Sequence, residues 1–384
     1  MQDIDVKTEH RVTQIDPKGK RVEALDLSKS ETRWVPYDKL IIATGARSRR
    51  LNLPGSNASN VFTLKDLQDG LRIRNYIDEK RPNRVAILGG GFIGLEMCEA
   101  FRLRGLETFL FCRRELPAGN LEREISEKIL KELQENGVHF LAHHEPSGFK
   151  TNGKDEITTF ETHKAIYRVD MVLLALGVIP NVELAREAGI ELGKTGAIRT
   201  DRTQSTNLRN IYTAGDCCEV FNLVSQDWMH TPLGDIANKQ GRVAGDNAAG
   251  KKAVFHGVVG SAAFKVFELE VAFTGLGVEA ARKYRFDVDS QVIEAESKVG
   301  YMPGSKRMLI KLMYDRRDGR LLGGQMAGKE GVARRINTLA VALHQKMTID
   351  EISRLDFAYA PPFSGTLDPI LIAAEQAAKK NRKD

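Results

Sequence analysis

A glycine-rich segment, GGGFIG at 89–94, has the residue types and spacing to bind the pyrophosphate of a dinucleotide. Gly89 allows a sharp turn, Gly91 lets the backbone approach a phosphate, and Gly94 lets a following helix lie close to a sheet. The start of that helix offers free N–H groups and the positive end of its dipole to the same phosphate. The chemistry predicted here is therefore anion binding by backbone groups.

The flanking elements support this interpretation of the glycines. An apolar strand, Val85–Leu88, precedes them, an amphipathic helix follows, and a second strand, Glu107–Cys112, closes the unit. Glycines alone often only make turns, whereas strand, turn, helix and strand together are typical of a βαβ dinucleotide-binding unit.

The end of the second strand predicts which nicotinamide cofactor is bound. A carboxylate there would accept the ribose 2′-hydroxyl of NADH, whereas an arginine would meet the 2′-phosphate of NADPH. The chain has Arg113 and Arg114 after Cys112, and its first carboxylate is Glu115. We predict NADPH, with NADH as a possible donor; the alternative is a pair of solvated arginines on a loop.

Composition excludes several classes of function. The chain has 384 residues, 42% hydrophobic and 28% charged, with a net charge of +6. Basic and acidic residues are interleaved, so we expect no nucleic-acid partner. Apolar runs are too short to span a bilayer. The four cysteines form no C-x-x-C and fit a reducing cytoplasm. The run His143-His144-Glu145 lacks metal-site spacing, so we predict a surface loop and no metal.

The rest of the chain predicts elements on both sides of the βαβ unit. Strands are expected over 4–15 and 20–27, joined by a turn, with a third near Thr32–Val35. The apolar run Leu40–Ala43 is expected to be a strand in a sheet covered on both faces. Further predicted elements are a helix capped within 63–66 and ending near 78, a strand over 171–176, a strand ending at Asp216, and a helix opening at Thr231-Pro232 and ending near 249. Runs of strands followed by helices after His256 suggest an α+β region.

Four ordered segments carry a resemblance to a known family. They are YDKLIIATGA at 37–46, the glycine-rich unit, IYTAGD at 211–216 and DFAYAPPF at 356–363. Together they resemble the FAD-dependent pyridine nucleotide–disulfide oxidoreductases. The last segment is similar to the subgroup of coenzyme A-disulfide reductases, NADH oxidases and persulfide reductases. The His-Pro…Glu arrangement of glutathione-reductase-like relatives is absent near His344, which also favours that subgroup.

The resemblance implies an α/β fold of tandem Rossmann-like domains with a C-terminal α+β dimerisation domain. The implied domains are 1–80, a partial FAD domain; 81–180, the NAD(P)H domain; 181–255, the FAD domain continued; and 256–384, through which a homodimer would form. The implied cofactors are FAD and NADPH. The implied activity passes electrons from the nicotinamide through FAD to a small-molecule disulfide, coenzyme A disulfide first, with persulfide or O2 as alternatives.

The resemblance also assigns roles to individual residues. Asp216 matches the carboxylate that binds the flavin ribityl chain, and the helix after Pro232 matches the one whose N-terminus faces the flavin pyrimidine edge. Glu96 matches a carboxylate near the nicotinamide, or is an exposed helical glutamate. Tyr359 matches a tyrosine projected toward the partner subunit's disulfide site, or packs in a Pro-rich loop. The remaining predicted cofactor contacts are Thr44, Gly45, Gly177, Gly215 and Leu233.

The cysteines depart from the family pattern. Relatives open with an FAD-binding βαβ unit followed by a redox-active cysteine, whereas the first cysteine here is Cys98. Cys98 is expected to face the sheet, Cys112 to end a strand, and Cys217 and Cys218 to be buried. A truncated chain, a misassigned start and a remnant remain open explanations. An NADP-binding dimer module without turnover is the alternative function.

Overall fold

The computed structural model describes residues 4–382, which form two compact units. Within the described residues, unit 1 comprises 4–47 and 178–258, and unit 2 comprises 48–177 and 259–382. Each unit is therefore built from two separate stretches of chain. The domain boundaries at 80, 180 and 255 stay predictions.

The helices are given in chain order: α1 Leu67–Lys80, α2 Phe92–Leu103, α3 Arg123–Glu135, α4 Glu183–Glu187, α5 Gly234–Ala248, α6 Val278–Lys283, α7 Val332–His344, α8 Ile349–Ser353 and α9 Pro369–Asn381. Within residues 4–382, no helix combines the length and the apolar character that crossing a bilayer requires.

The strands are given in the same order: β1 His10–Asp16, β2 Arg21–Asp26, β3 Glu31–Pro36, β4 Leu40–Ile42, β5 Ala46–Ser48, β6 Val61–Thr63, β7 Arg84–Leu88, β8 Glu107–Cys112, β9 His139–Ala142, β10 Pro146–Thr151, β11 Ile157–Thr162, β12 Ile166–Arg168, β13 Met171–Leu174, β14 Val178–Pro180, β15 Ile211–Thr213, β16 Val220–Asn222, β17 Asp227–Met229, β18 Ala262–Val266, β19 Leu269–Gly275, β20 Val288–Glu296, β21 Arg307–Asp315 and β22 Leu321–Gly328.

A parallel sheet forms the core of the first half of unit 2. Its strand order is β6-β13-β7-β8-β9, with β7 hydrogen-bonded between β13 and β8. Residues 85–88 of β7 are at most 2% exposed, because the strand has a neighbour on each edge and packed side chains on each face. This burial explains the continuous apolar run that predicted the strand.

Two antiparallel sheets complete unit 2. A three-stranded meander, β10-β11-β12, follows β9 directly. A five-stranded sheet, β18-β19-β22-β21-β20, follows later in the chain, and α7 and α9 pack against it. The predicted α/β fold with a C-terminal α+β region is confirmed.

Unit 1 is built from smaller sheets. The meander β1-β2-β3 contains the predicted turn, in which the Gly19 N–H donates to the Asp16 carboxylate at 2.9 Å. Strand β4 pairs in parallel with β15 in a two-stranded sheet. Ile42 is buried, but Ile41 is 40% exposed. The expectation of a strand covered on both faces was therefore wrong for the described residues, because successive side chains point to opposite faces and the face of Ile41 is open.

One predicted helix start shifts, and another lies within its predicted segment. Helix α5 begins at Gly234 with Leu233 as its N-cap, so Pro232 precedes the helix instead of opening it. Helix α1 is capped by Asp66, whose carboxylate accepts the Asp69 N–H at 2.9 Å, and it ends at Lys80. The N-cap of α5 lies one residue after the segment that signals the helix, and that of α1 is the last residue of its segment.

Candidate functional site

The glycine-rich turn after β7 has the geometry that its sequence predicts. Gly89 has a φ of +110°, and a Cβ there would lie 2.3 Å from the Ala175 carbonyl oxygen. A Cβ on Gly94 would lie 2.0 Å from the Gly89 carbonyl oxygen. Both positions therefore require glycine, the first for its backbone conformation and the second for close contact between α2 and the turn.

Gly91 differs from its neighbours because the space around it is open. A Cβ there would meet no atom within 4 Å, and the residue itself is exposed. Gly91 is the N-cap of α2, and no side chain caps that helix. The first N–H groups of α2 therefore point toward an accessible backbone surface, which is the arrangement that binds a phosphate.

Glu96 lies on the exposed face of α2, one turn after the glycines. Partial loss of hydration raises the pKa of its carboxyl, and the like charge of Glu99 adds to the rise. Glu99 itself accepts the Phe267 N–H at 2.8 Å. An accessible carboxyl with a raised pKa could exchange a proton or hold a polar ring substituent, so a nicotinamide contact by Glu96 stays a prediction.

Arg113 and Arg114 separate at the carboxyl end of β8. Arg113 lines a cavity of about 330 Å³, together with His143, Glu145, Pro146, Ser147 and His163. Arg114 instead donates to the Gly119 carbonyl oxygen. Glu115 pairs with Arg123 at 3.1 Å. Arg113 is therefore the one of the two arginines that lines this cavity, and its contact with a nucleotide stays a prediction.

The histidine run after β9 has separate partners. His144 lies 2.8 Å from the Ala142 carbonyl oxygen through Nδ1 and 2.9 Å from the Tyr167 hydroxyl through Nε2. His143 has a φ of +57° and is exposed. Across the described residues, no group of three or more His, Cys, Asp or Glu side chains could hold a metal ion.

In unit 1, the turn Thr44-Gly45 is tied to Asn181. The Thr44 hydroxyl donates to the Asn181 carbonyl oxygen at 2.6 Å, and the Asn181 side chain donates to the Thr44 carbonyl oxygen at 2.9 Å. Gly45 has a φ of +66°, and a Cβ there would meet nothing within 4 Å. The turn is thus rigid on one side and accessible on the other.

The turn Gly215-Asp216 lies beside that segment and against α5. The Ala214 N–H donates to the Ile42 carbonyl oxygen at 3.1 Å, which joins the ends of β15 and β4. The Gly215 N–H donates to the Gln240 side chain at 3.0 Å, and a Cβ on Gly215 would lie 3.5 Å from the Ala237 Cβ. The His230 ring lies 2.7 Å from the Asp216 carbonyl oxygen. The loop that carries Asp216 therefore lies close to the first turns of α5.

Helix α5 has no side-chain cap, and its first residue, Gly234, is exposed. The half-buried carboxylate of Asp216 suits the hydroxyls of a flavin ribityl chain, and the open turn at Gly45 leaves room for the chain. The uncapped start of α5, a helix of fifteen residues, suits the electron-rich edge of the flavin ring. The residues that the resemblance assigned to FAD thus occur together in unit 1, and their contacts with FAD stay predictions.

The four cysteines are all buried; burial was predicted for Cys217 and Cys218, whereas Cys112 was predicted only to end a strand. Burial raises the pKa of Cys98 far above its usual range and that of Cys112 to about 12. The Cys217 thiol lies 3.3 Å from the Ala214 carbonyl oxygen, and that of Cys218 lies 3.4 Å from the Gly215 carbonyl oxygen. The thiols of Cys217 and Cys218 therefore donate hydrogen bonds to backbone of the turn that carries Asp216.

Gly177 and Tyr359 complete the predicted site residues. Gly177 has a φ of +86° with open space around it, and its carbonyl oxygen accepts the Arg49 N–H at 2.9 Å. Tyr359 is 51% exposed in the segment between α8 and α9, where the Phe363 N–H donates to the Ala360 carbonyl oxygen at 2.9 Å. A role for Tyr359 toward a partner subunit stays a prediction, beside the alternative of packing in the Pro-rich loop.

Sequence reasoning missed several residues near these turns. Asn181, His230 and His163 come from loops whose sequence has no motif, and they reach the site through tertiary contacts. The dipeptide Pro180-Asn181 is the one signal available for Asn181, because asparagine after a strand often bonds to nearby backbone.

Comparison with known proteins identifies similar families, sequences and structures. Residues 1–234 match the model described as pyridine nucleotide-disulphide oxidoreductase, and residues 261–369 match its dimerisation domain. The chain is 35% identical to an NADH oxidase of Methanocaldococcus jannaschii, over 98% of this chain and 83% of that protein. It is 28% identical to a coenzyme A disulfide reductase of Staphylococcus haemolyticus, over 95% and 81%. A solved NAD-dependent persulfide reductase from A. fulgidus superposes with a TM-score of 0.96 at 34% identity, over 100% of this chain and 71% of that one.

Proposed function

Because the chain belongs to the pyridine nucleotide–disulphide oxidoreductase family and is an NAD(P)H-dependent flavoprotein oxidoreductase, we propose that it oxidises NADPH and reduces a low-molecular-weight disulfide, first of all coenzyme A disulfide. In balance, one NADPH, one disulfide and one proton give NADP⁺ and two thiols. Bound FAD would supply the chemistry that accepts a hydride and releases electrons to the disulfide. The dimerisation domain supports a homodimer.

The observation that carries the nucleotide part is the open glycine turn before an uncapped helix. Gly91 leaves backbone accessible, and the N-terminus of α2 supplies N–H groups to a pyrophosphate. Arg113 then supports NADPH, because it lines the cavity at the end of β8 and its guanidinium can pair with a 2′-phosphate.

Residues of unit 1 support the flavin part. Thr44, Gly45, Gly215 and Asp216 would hold the ribityl and phosphate groups, and the start of α5 after Pro232 and Leu233 would stabilise negative charge on the ring. The choice of coenzyme A disulfide is supported by a relative with that name and by the lack of a His-Pro…Glu arrangement near His344. Persulfide or polysulfide and O2 are the alternative acceptors.

The test uses the full chain. We expect the purified protein to bind FAD, to bleach with NADPH under anaerobic conditions, and to release two thiols per NADPH with coenzyme A disulfide, measured with a thiol reagent. Parallel reactions with polysulfide and with O2 identify the acceptor. A protein that takes up no flavin on reconstitution would contradict the proposal.

Arg113→Ala tests the choice of nucleotide. Loss of a charged contact to the 2′-phosphate should raise the KM for NADPH about tenfold or more and leave that for NADH nearly unchanged. Arg104→Ala is the matched control, because Arg104 pairs with Asp78 at the far end of α2. An equal KM for both nucleotides in the parent chain would overturn the preference for NADPH.

Burial of all four cysteines favours one second candidate, an NADP-binding dimer module without turnover. The exposed side chain of Ile41 supports it, because a strand that needs cover on both faces leaves apolar surface exposed in the described residues. Fluorescence titration separates the two: binding of NADPH by a colourless protein supports the module, and a yellow protein that turns over excludes it.

A further inference from the structure

The cavity beside Arg113 is built by loops of two sheets. Arg113 follows β8 and Glu145 follows β9, at the carboxyl edge of the parallel sheet. His163 comes from the turn between β11 and β12 of the antiparallel meander. Residues far apart in sequence thus line one space of about 330 Å³, which is large enough for part of a nucleotide.

The turn that carries His163 is held in place by Thr162. Its hydroxyl accepts the N–H groups of Lys164 and Ala165 at 3.2 and 3.1 Å, and its own N–H donates to the Ala165 carbonyl oxygen at 3.0 Å. The Glu145 N–H donates to Nδ1 of His163 at 3.4 Å. Because Nδ1 accepts that bond, the proton of the neutral ring lies on Nε2, so His163 brings a hydrogen-bond donor to the cavity.

The groups that line the cavity would have opposite effects on a bound anion. Arg113 and the two histidines offer donors, whereas Glu145 offers a carboxylate. Other charged groups nearby have their own contacts: Arg114 with the Gly119 carbonyl oxygen and Glu115 with Arg123. The pKa of Glu115 is lowered mainly by the hydrogen bond from Arg123 and slightly by the charge of His143. Glu145 is therefore the carboxylate that acts against an anion in this space.

We propose that this cavity reads the 2′ position of the adenosine ribose with opposed groups: His143 and His163 join Arg113 in binding a 2′-phosphate, and Glu145 accepts a 2′-hydroxyl and disfavours the phosphate. The proposal rests on the proposed use of NADPH and assigns specificity to three residues that the dinucleotide motif does not contain. The preference between the two nucleotides is then a difference between these opposed contacts, and it is moderate in size.

The experiment measures binding of adenosine 2′,5′-bisphosphate and of 5′-AMP to the full chain by titration calorimetry. Glu145→Gln should raise the ratio of the two affinities about fivefold, because it removes repulsion of the phosphate and an acceptor for the hydroxyl. His163→Asn and His143→Asn should each lower the ratio about three- to tenfold, because each removes a contact to the 2′-phosphate and weakens binding of the bisphosphate.

His139→Asn is the matched control. His139 lies on β9 with its side chain 53% exposed, beside Glu107 and away from the cavity, so the ratio should stay unchanged. The varied residues are exposed, and circular dichroism should show a folded protein in each case.

Two failures are distinguishable. If the parent chain binds the bisphosphate no better than 5′-AMP, the proposed preference for NADPH fails, and this inference fails with it. If the parent prefers the bisphosphate and Arg113→Ala removes the preference, but the Glu145 and histidine variants leave the ratio within about twofold, only the present inference is overturned.

Discussion

Strands β7 and β4 are both short apolar strands that lead into a glycine turn, yet their surroundings differ. Strand β7 lies between β13 and β8, and residues 85–88 are at most 2% exposed. Strand β4 pairs with β15 in a two-stranded sheet, and Ile41 is 40% exposed. An apolar run thus indicates that a strand can be buried, whereas the elements packed around it determine how exposed its side chains are.

The glycine turns after these strands differ in the same way. A Cβ on Gly94 would collide with backbone, whereas a Cβ on Gly45 would meet open space. In unit 2 the turn is fixed by packing, and in unit 1 it is fixed by hydrogen bonds to Asn181. Substitutions in the two turns should therefore lower the free energy of unfolding by different amounts, and we expect the largest losses in unit 2.

Gly94→Val should have the largest effect. Its Cβ would lie 2.0 Å from the Gly89 carbonyl oxygen, so α2 must move away from the turn. We expect the free energy of unfolding to fall by about 4 kcal/mol or more. Urea denaturation measures the loss, and Gly91→Ala is the control, with a change below about 1 kcal/mol because its surroundings are open. Equal losses in the two variants would contradict the packing argument.

Ile87→Ala and Ile41→Ala test the two strands directly. Ile87 is 0% exposed, so its truncation should leave a cavity and cost about 3 kcal/mol. Ile41 is 40% exposed, and its truncation should cost less than about 1 kcal/mol. Denaturation of both variants under one condition gives the comparison, and a cost at Ile41 that matches Ile87 would show that β4 is covered in solution.

Lys311→Ala tests an ion-pair cluster that joins α3 to the antiparallel sheet of unit 2. Lys311 lies 2.8 Å from both Glu122 and Glu124, and its side chain is 9% exposed. Removing it should cost about 2 to 3 kcal/mol, because two partly buried carboxylates lose their partner. Lys311→Met keeps the packing of the stem and separates that effect from the loss of charge.

The same cluster gives a pH dependence with a defined sign. Partial burial is the largest single influence and would raise the pKa of Glu124. The hydrogen bond and charge of Lys311, a backbone hydrogen bond and the charge of Arg123 together outweigh it, so the pKa is lowered. A carboxyl with a lowered pKa contributes stability above its unfolded pKa, and this is lost as the pH falls through the folded value. We expect the parent chain to lose stability on acidification below about pH 4 more steeply than Lys311→Met, measured by urea midpoints. Parallel curves would remove the pair as the cause.

Gly45→Ala should have the smallest effect in this series. Its φ of +66° is unfavourable for alanine, and open space excludes a clash, so the cost should be about 1 kcal/mol. Gly45→Asn should recover part of it, because asparagine tolerates this conformation better. A loss as large as that of Gly94→Val would mean that the turn is packed against other groups in solution.

The parts of the fold that follow from local sequence were predictable. The βαβ unit, the roles of Gly89 and Gly94, and the elements of the antiparallel sheet each depend on patterns within about thirty residues. The exposure of Ile41 was not predictable from its own run, because it depends on which elements pack over that face of β4. The start of α5 was shifted to Gly234, since Thr231 and Pro232 signal a helix without being part of it.

The residues of the candidate site also divide into those that local sequence predicts and those that it does not. Arg113 could be found because it follows a strand of a known unit, whereas Arg114, its neighbour in sequence, turns to the Gly119 carbonyl oxygen for reasons of loop geometry. His163 could not be found, because nothing in its own segment indicates that the meander returns it to the edge of the parallel sheet. Contacts across sheets have no local signature.

The burial of the cysteines gives each unit its own reporter of unfolding. A Cβ on Gly90 would lie 2.6 Å from the Cys112 sulfur, so an alkylating reagent has no room there while the glycine turn is intact. Cys98 and Cys112 belong to unit 2, whereas Cys217 and Cys218 belong to unit 1. The rates at which the two pairs are alkylated in native buffer, read by mass spectrometry of peptides, would therefore time the opening of each unit separately in a single unlabelled sample.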